Sequence, residues 1–170
     1  MSEISARLAA DVTGLLSELA YRGDLVLSAH STRVRLPFRA LDGARSHGEQ
    51  RFGDDALYER MIAAVAREAA AEGTQAAEVQ ALGIGEHLLV GMPGELFAAL
   101  GLAVKQAAYP WWALVVGLAN GMVGYVPTRE AFNRGGYETT LSTVSKLAPE
   151  AGEQLVRAAA SITPDYTRSR

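Results

Sequence analysis

The sequence predicts an α/β fold, a mixed β-sheet packed with helices, forming a single domain over residues 1–170. Three observations carry that expectation. Apolar residues recur at the helical period in several separated stretches. Short runs of strand character stand between them. Trp112 to Leu118 is nearly all apolar, the pattern of a central strand covered on both faces.

The elements follow in order. Ile4, Leu8, Val12, Leu15, Leu16 and Leu19 place one apolar face on a helix from Ser2 to Tyr21, with Gly23 as its stop. Leu25 to Ala40 has strand character, alternating through Arg33-Val34-Arg35-Leu36, and Pro37 confines it to an edge or a strand end. Leu41 to Gly53 is polar and Gly-bearing, hence a loop. Asp54 or Asp55 caps a second helix to about Ala71, with Leu57, Met61, Ala64 and Val65 inward. Glu78 to Ile84 and His87 to Met92 form a hairpin around Gly85-Glu86. Glu95 to about Ala107 is a third helix, and the apolar strand from Trp112 follows it. Thr128 caps a short helix from Arg129 to Asn133, ended by Gly135-Gly136. Pro149 suits the first turn of a last helix reaching Ile162, with Leu155, Val156 and Ala159 inward. Residues 163–170 read as a polar tail.

Composition excludes several classes. The chain has 170 residues, 49% of them hydrophobic, with a formal charge of -3 and no basic stripe, so nucleic acid is not an expected partner. It has no Cys, which removes disulfides, thiolate metal sites and Cys nucleophiles. The longest apolar run, Trp111 to Val126, is shorter than the roughly 20 residues of a bilayer span and contains Asn120, so no transmembrane segment is expected. The first residues lack the basic-then-apolar pattern of a signal peptide.

Familiar short motifs fail in context. Gly83-Ile84-Gly85 with Gly91 lacks the helix that a dinucleotide fingerprint requires, because a strand follows. Neither a phosphate-binding Gly-Lys-Ser/Thr loop nor a Gly-x-Ser-x-Gly elbow occurs. His30, His47 and His87 form neither His-x-His nor His-Glu-x-x-His. His47 reads as solvated in its loop, while His30 and His87 border strands, where a hydrogen-bonded structural role outweighs metal binding.

The stretch from Gly91 to Tyr137 stands apart. Glu95, in Pro93-Gly94-Glu95, marks where one apolar strand gives way to a helix, and Tyr125 lies just past a second such strand. The two strands are expected neighbours, and α/β proteins keep their chemistry at such strand ends. Glu95 admits two readings, a pocket carboxylate or an acid favoured in a helix's first turn by the helix dipole. Tyr125 and Tyr137 are pocket phenols or amphipathic wall residues. These residues define a pocket with one carboxylate and two phenols; they do not name a reaction.

Pro93-Gly94-Glu95, the run from Gly117 through Asn120-Gly121-Met122-Val123-Gly124-Tyr125 to Phe132, and Gly136-Tyr137-Glu138 together resemble the neutral/alkaline non-lysosomal ceramidase family in order and spacing. The first helix, the Arg35-Leu36-Pro37 strand and the last helix also fit, so the resemblance covers nearly the whole chain. It implies a partial layered α/β domain and a zinc ion held by two His, one Glu and one Tyr, activating water to cleave an N-acyl amide. Glu95 matches the glutamate ligand and Tyr125 the tyrosine ligand. Tyr137 matches a tyrosine beside the substrate amide that steadies the developing oxyanion.

In that family the two zinc histidines and a Gly-Asp-containing loop precede the first helix found here, and a β-sandwich follows the last. Neither is present, which places the chain nearer shorter bacterial relatives with a ceramidase-like domain. The expectation is the later part of a ceramidase-like catalytic domain, with half a zinc site, acting on an N-acyl lipid amide only when completed. The alternative is a stand-alone, non-catalytic binding or assembly domain, with Met1 directly before a helix. A third is complementation by another chain that supplies the histidines. Uncovered apolar faces would then favour homo-oligomers.

Overall fold

A computed structural model describes residues 2–41 and 54–165. His47 and most of the polar loop around it lie outside the described residues. The fold is mixed α/β: a mixed sheet packed against helices.

Helix α1 (Ser2–Ser17) ends four residues before Tyr21, and β1 (Leu27–Pro37) follows. The strand stops at Pro37 and occupies the sheet edge, where a residue without an N–H is tolerated. Helix α2 (Asp55–Glu72) is capped by Asp54, whose carboxylate accepts the Leu57 N–H at 2.7 Å. Gly73, with φ +68°, turns the chain directly into β2 (Thr74–Ile84), which begins four residues earlier than its pattern predicts. β3 (His87–Gly91) pairs back on β2 with Ile84 opposite His87, so Gly85-Glu86 is a two-residue hairpin turn.

β4 is only Glu95–Leu96, α3 runs Ala98–Ala107, and β5 is Trp112–Val116. β6 (Tyr125–Val126), α4 (Arg129–Arg134), a 3-10 turn (Tyr137–Thr139) and α5 (Ala151–Ile162) complete the chain. The main sheet has the order β1-β2-β3-β5, with β3 and β5 parallel and the other pairs antiparallel. The expected neighbour relation of the two apolar strands is therefore present.

One face of that sheet is the core. Val79, Ala81, Leu88 and Val90 are fully buried against α3 and α5, which contribute Val104, Leu155 and Ala159. Trp111 seals one end by donating its indole N–H to the Pro164 carbonyl at 2.9 Å.

One expectation is corrected here. β5 is an edge strand, not a central one covered on both faces: Trp112, Leu114 and Val116 are 70%, 53% and 42% exposed. An all-apolar strand signals two faces that want cover, and the described residues cover one. The first helix is likewise exposed along residues 3–17, its apolar stripe included. No helix among the described residues is long and apolar enough to cross a membrane.

Candidate active site

β3 and β5 leave the main sheet side by side, and their continuations pair again. Glu95 of β4 lies opposite Tyr125 of β6 in a short parallel ladder. The Glu95 N–H donates to the Gly124 carbonyl at 3.0 Å and the Phe97 N–H to Val126 at 3.1 Å. This corrects the reading of Glu95 as a first-turn helix residue. The helix starts at Ala98 behind Phe97, so Glu95 is a strand residue ahead of the N-cap. The helix dipole acts within the first turn and does not account for this carboxylate.

Two glycines make the corner possible. Gly124 has φ +93°, and a Cβ there would stand 2.2 Å from the Val144 carbonyl oxygen. A Cβ on Gly94 would stand 2.7 Å from the Gly124 oxygen. Each glycine directly precedes a candidate residue and lets two backbones touch beneath it. The Tyr125 N–H then donates to Val144 at 2.7 Å, and Val123 donates to Pro93 at 2.7 Å.

Tyr137 is brought in by the turn after α4. Thr128 caps that helix through Ala131 N–H at 3.2 Å, and Gly135 ends it. Buried Thr139 and Thr140 both donate their hydroxyls to the Gly136 carbonyl, at 3.0 and 2.9 Å, and hold the turn closed. The Tyr125 and Tyr137 hydroxyls hydrogen-bond to one another at 3.3 Å, with the rings edge to face at 5.3 Å between centroids. Three residues from three separate sequence blocks therefore meet at one corner, each at least partly open to solvent.

The electrostatics follow from that meeting. The Tyr137 hydrogen bond, then partial desolvation, then the Glu95 charge push the Tyr125 phenol up to about 12. At neutral pH Tyr125 is a neutral phenol beside a carboxylate. Glu95 also borders a trough of ≈ 560 Å³ whose walls include Leu96, Phe97, Leu102, Lys105 and Leu118. Its size and apolar walls suit an organic ligand. Tyr125 and Tyr137 are not part of its wall.

The histidines do not join this corner. His87 opens β3 beside the hairpin turn, while Glu95 lies beyond the far end of that strand. His30 pairs with Ala81 on the edge strand. Both are exposed, which corrects the expectation of hydrogen-bonded structural histidines. Glu95 and Tyr125 offer two oxygen donors, whereas zinc sites commonly take three or four protein ligands. Among the described residues no group of three His, Cys, Asp or Glu side chains could hold a metal ion. These residues alone do not make a zinc site.

Some contributors had no clear signal. Leu118 and Asn120 adopt φ of +56° and +63° in the loop between β5 and β6. Asn120-Gly121 is a turn signal, but a leucine in this region is an outlier, held here by its N–H donating to Gly94 at 3.2 Å. Val144 and Ser145, which brace Tyr125 and Glu138, lie in a stretch without periodicity.

No family model and no curated protein match this chain. Among solved structures it is similar to a ceramidase complexed with C2, at 21% identity over 56% of this chain and 16% of that one, with a TM-score of 0.45. It is also similar to the neutral ceramidase from Pseudomonas aeruginosa, at 15% identity over 87% of this chain and 30% of that one, with a TM-score of 0.47. The chain spans less than a third of either.

Proposed function

We propose that this chain is the later part of a ceramidase-like, zinc-dependent amide hydrolase acting on an N-acyl lipid amide, and that it is inactive alone. The observation that carries the reading is the convergence of Glu95, Tyr125 and Tyr137 from the three blocks that resemble that family. Glu95 and Tyr125 would give two oxygen donors to the metal, with histidines coming from outside the described residues. Tyr137 is the substrate-facing group. Its hydroxyl, which hydrogen-bonds Tyr125, would turn to an amide carbonyl and strengthen as negative charge develops on that oxygen. Tyr125 stays protonated in this environment, so a nearby cation is what would make it an anionic donor.

The test is N-acyl amide hydrolysis by a protein that carries this chain together with its upstream histidine-bearing segment. Glu95→Gln is expected to abolish turnover, and Tyr137→Phe to lower kcat by about 10²–10³, as for other oxyanion donors. Full activity in Glu95→Gln would sink the assignment.

The bare sheet face favours a second reading, a non-catalytic assembly domain that keeps the fold. Hydrolysis by the extended protein would dispose of it.

A further inference from the structure

The two edges of the main sheet are finished differently. β1 carries Arg33, Arg35 and Pro37, the charges and the missing N–H that keep other strands off an edge. β5 carries no charge and no proline. Its bonds to β3 fix which of its backbone groups face outward. The Trp112 N–H donates to Glu86 and the Val116 carbonyl accepts from Met92, so Trp112, Leu114 and Val116 turn their peptide groups inward. Ala113, Val115 and Gly117 turn theirs to the open edge, where no strand among the described residues pairs with them.

That edge opens onto the trough beside Glu95. Val115, Gly117 and Leu118 form one wall, and Gly101, Leu102 and Lys105 of α3 form the other. Gly101 keeps the gap wide, since even a Cβ there would meet nothing within 4 Å. A groove beside a free strand edge is a peptide-binding arrangement, in which backbone pairing supplies affinity and the groove selects alternate side chains. The trough is also charged towards both ends. Glu95 precedes α3 and Lys105 lies in its last turn, about 10 Å along the helix from Ala98. Neither side chain forms an ion pair among the described residues.

We propose that β5 and α3 bind an extended peptide as a further strand, antiparallel to β5, with apolar side chains in the trough and a carboxylate against Lys105. Each feature selects part of that occupant. The outward N–H and C=O groups match another peptide backbone, which an acyl chain does not offer. β5 runs towards Glu95, because the Leu118 N–H just beyond it donates to Gly94. An antiparallel peptide therefore brings its N-terminal end to Glu95 and its later residues to Lys105, where the charges agree. A second copy does not meet these terms. Its free edges are β1, with His30, Arg33 and Arg35, and β5, with no charge, so neither sets a carboxylate against Lys105. Within one chain β1 lies at the opposite edge of the same sheet, and α1 has its peptide groups spent inside the helix. The inference is independent of the proposed hydrolase chemistry.

The probe is a fluorescently labelled peptide, Leu-Thr-Val-Thr-Glu-Thr, titrated with the full chain and read by anisotropy. Peptide residues paired with Ala113, Val115 and Gly117 share their face of the sheet, so Leu, Val and Glu enter the trough and Thr faces away. The expected result is saturable binding. N-methylation of the peptide's Val should abolish it, and N-methylation of the Thr that follows should leave it in place. Lys105 is exposed, so Lys105→Glu spares the core. It should weaken binding about fivefold or more, since an attractive charge pair becomes a repulsive one, and a peptide with Lys in place of Glu should restore it. Hydrogen exchange at Ala113, Val115 and Gly117 should slow only once peptide is added. No saturable binding, or binding indifferent to either the N-methyl group on Val or the Lys105 charge, would overturn the proposal. So would protection of those amides before peptide is added, which would show that another copy or the chain itself takes the edge.

Discussion

The two faces of the main sheet are built from the same strands and differ in almost everything else. Leu88 and Leu89 are neighbours on β3; Leu88 is fully buried under the helices, while Leu89 lies on the face that α3 and α5 do not cover. On the covered face, packing fixes register, because a slip of one residue would send every core side chain outward. That fixed register is inherited by β4 and β6, and it sets Glu95 against Tyr125. The outer face has apolar character without that partner. The candidate site is thus held by the covered half of the sheet.

Breaking the covered face should have the largest effect. Leu88→Ala is expected to cost about 2–5 kcal/mol in chemical denaturation, from lost burial and the cavity left behind. Leu82→Ala on the other face, where the side chain is 37% exposed, should stay within about 0.5 kcal/mol. Equal costs would erase the distinction.

Gly124→Ala comes next, at more than about 1 kcal/mol, because it forces a Cβ into the Val144 carbonyl at a φ that L-residues avoid. Loss of the Tyr125–Tyr137 ring contact in NMR spectra should accompany it. An unperturbed contact would show that the corner does not depend on this close approach.

Asp54→Ala removes the cap of α2 and is expected to cost about 1 kcal/mol, with Asp54→Ser recovering most of it. Denaturation of the three proteins in parallel checks this.

The smallest effect on stability is expected of Tyr137→Phe, which acts on titration. The hydrogen bond to its hydroxyl is the main cause that pushes the Tyr125 phenol up to about 12, so the variant should bring Tyr125 back towards the ordinary phenol value in a 13C-tyrosine NMR titration. The sign of the stability effect follows. A phenol raised in the folded state favours folding fully below pH 10, and that contribution is lost as pH rises from 10 towards 12. Tyr137→Phe should narrow this window from above.

Local chemistry was readable in the sequence wherever it acts locally. Gly85-Glu86 gave the hairpin, Asp54 and Thr128 the caps, and Pro37 the end of an edge strand. Glu95 was misplaced because a two-residue strand made by distant pairing has no period to detect. Instead, Pro93-Gly94-Glu95 reads as a turn into a helix. Trp112 to Val116 was placed at the centre because apolar character reports what a strand needs covered, not what its own chain supplies. Glu95, Tyr125 and Tyr137 are marked by the sequence alone. Their common corner depends on Val144, Thr139 and Thr140, none of which carries a sequence signal.

The proposed metal role of the corner is tested most directly by titrating the chain with zinc in the presence of imidazole, which stands in for the absent histidine donors. Phenolate absorbance is the readout. The account predicts a zinc-dependent phenolate signal that imidazole strengthens, that Tyr125→Phe and Glu95→Gln abolish, and that Tyr137→Phe leaves in place. A signal surviving in Tyr125→Phe, or none at millimolar zinc with imidazole, would contradict it.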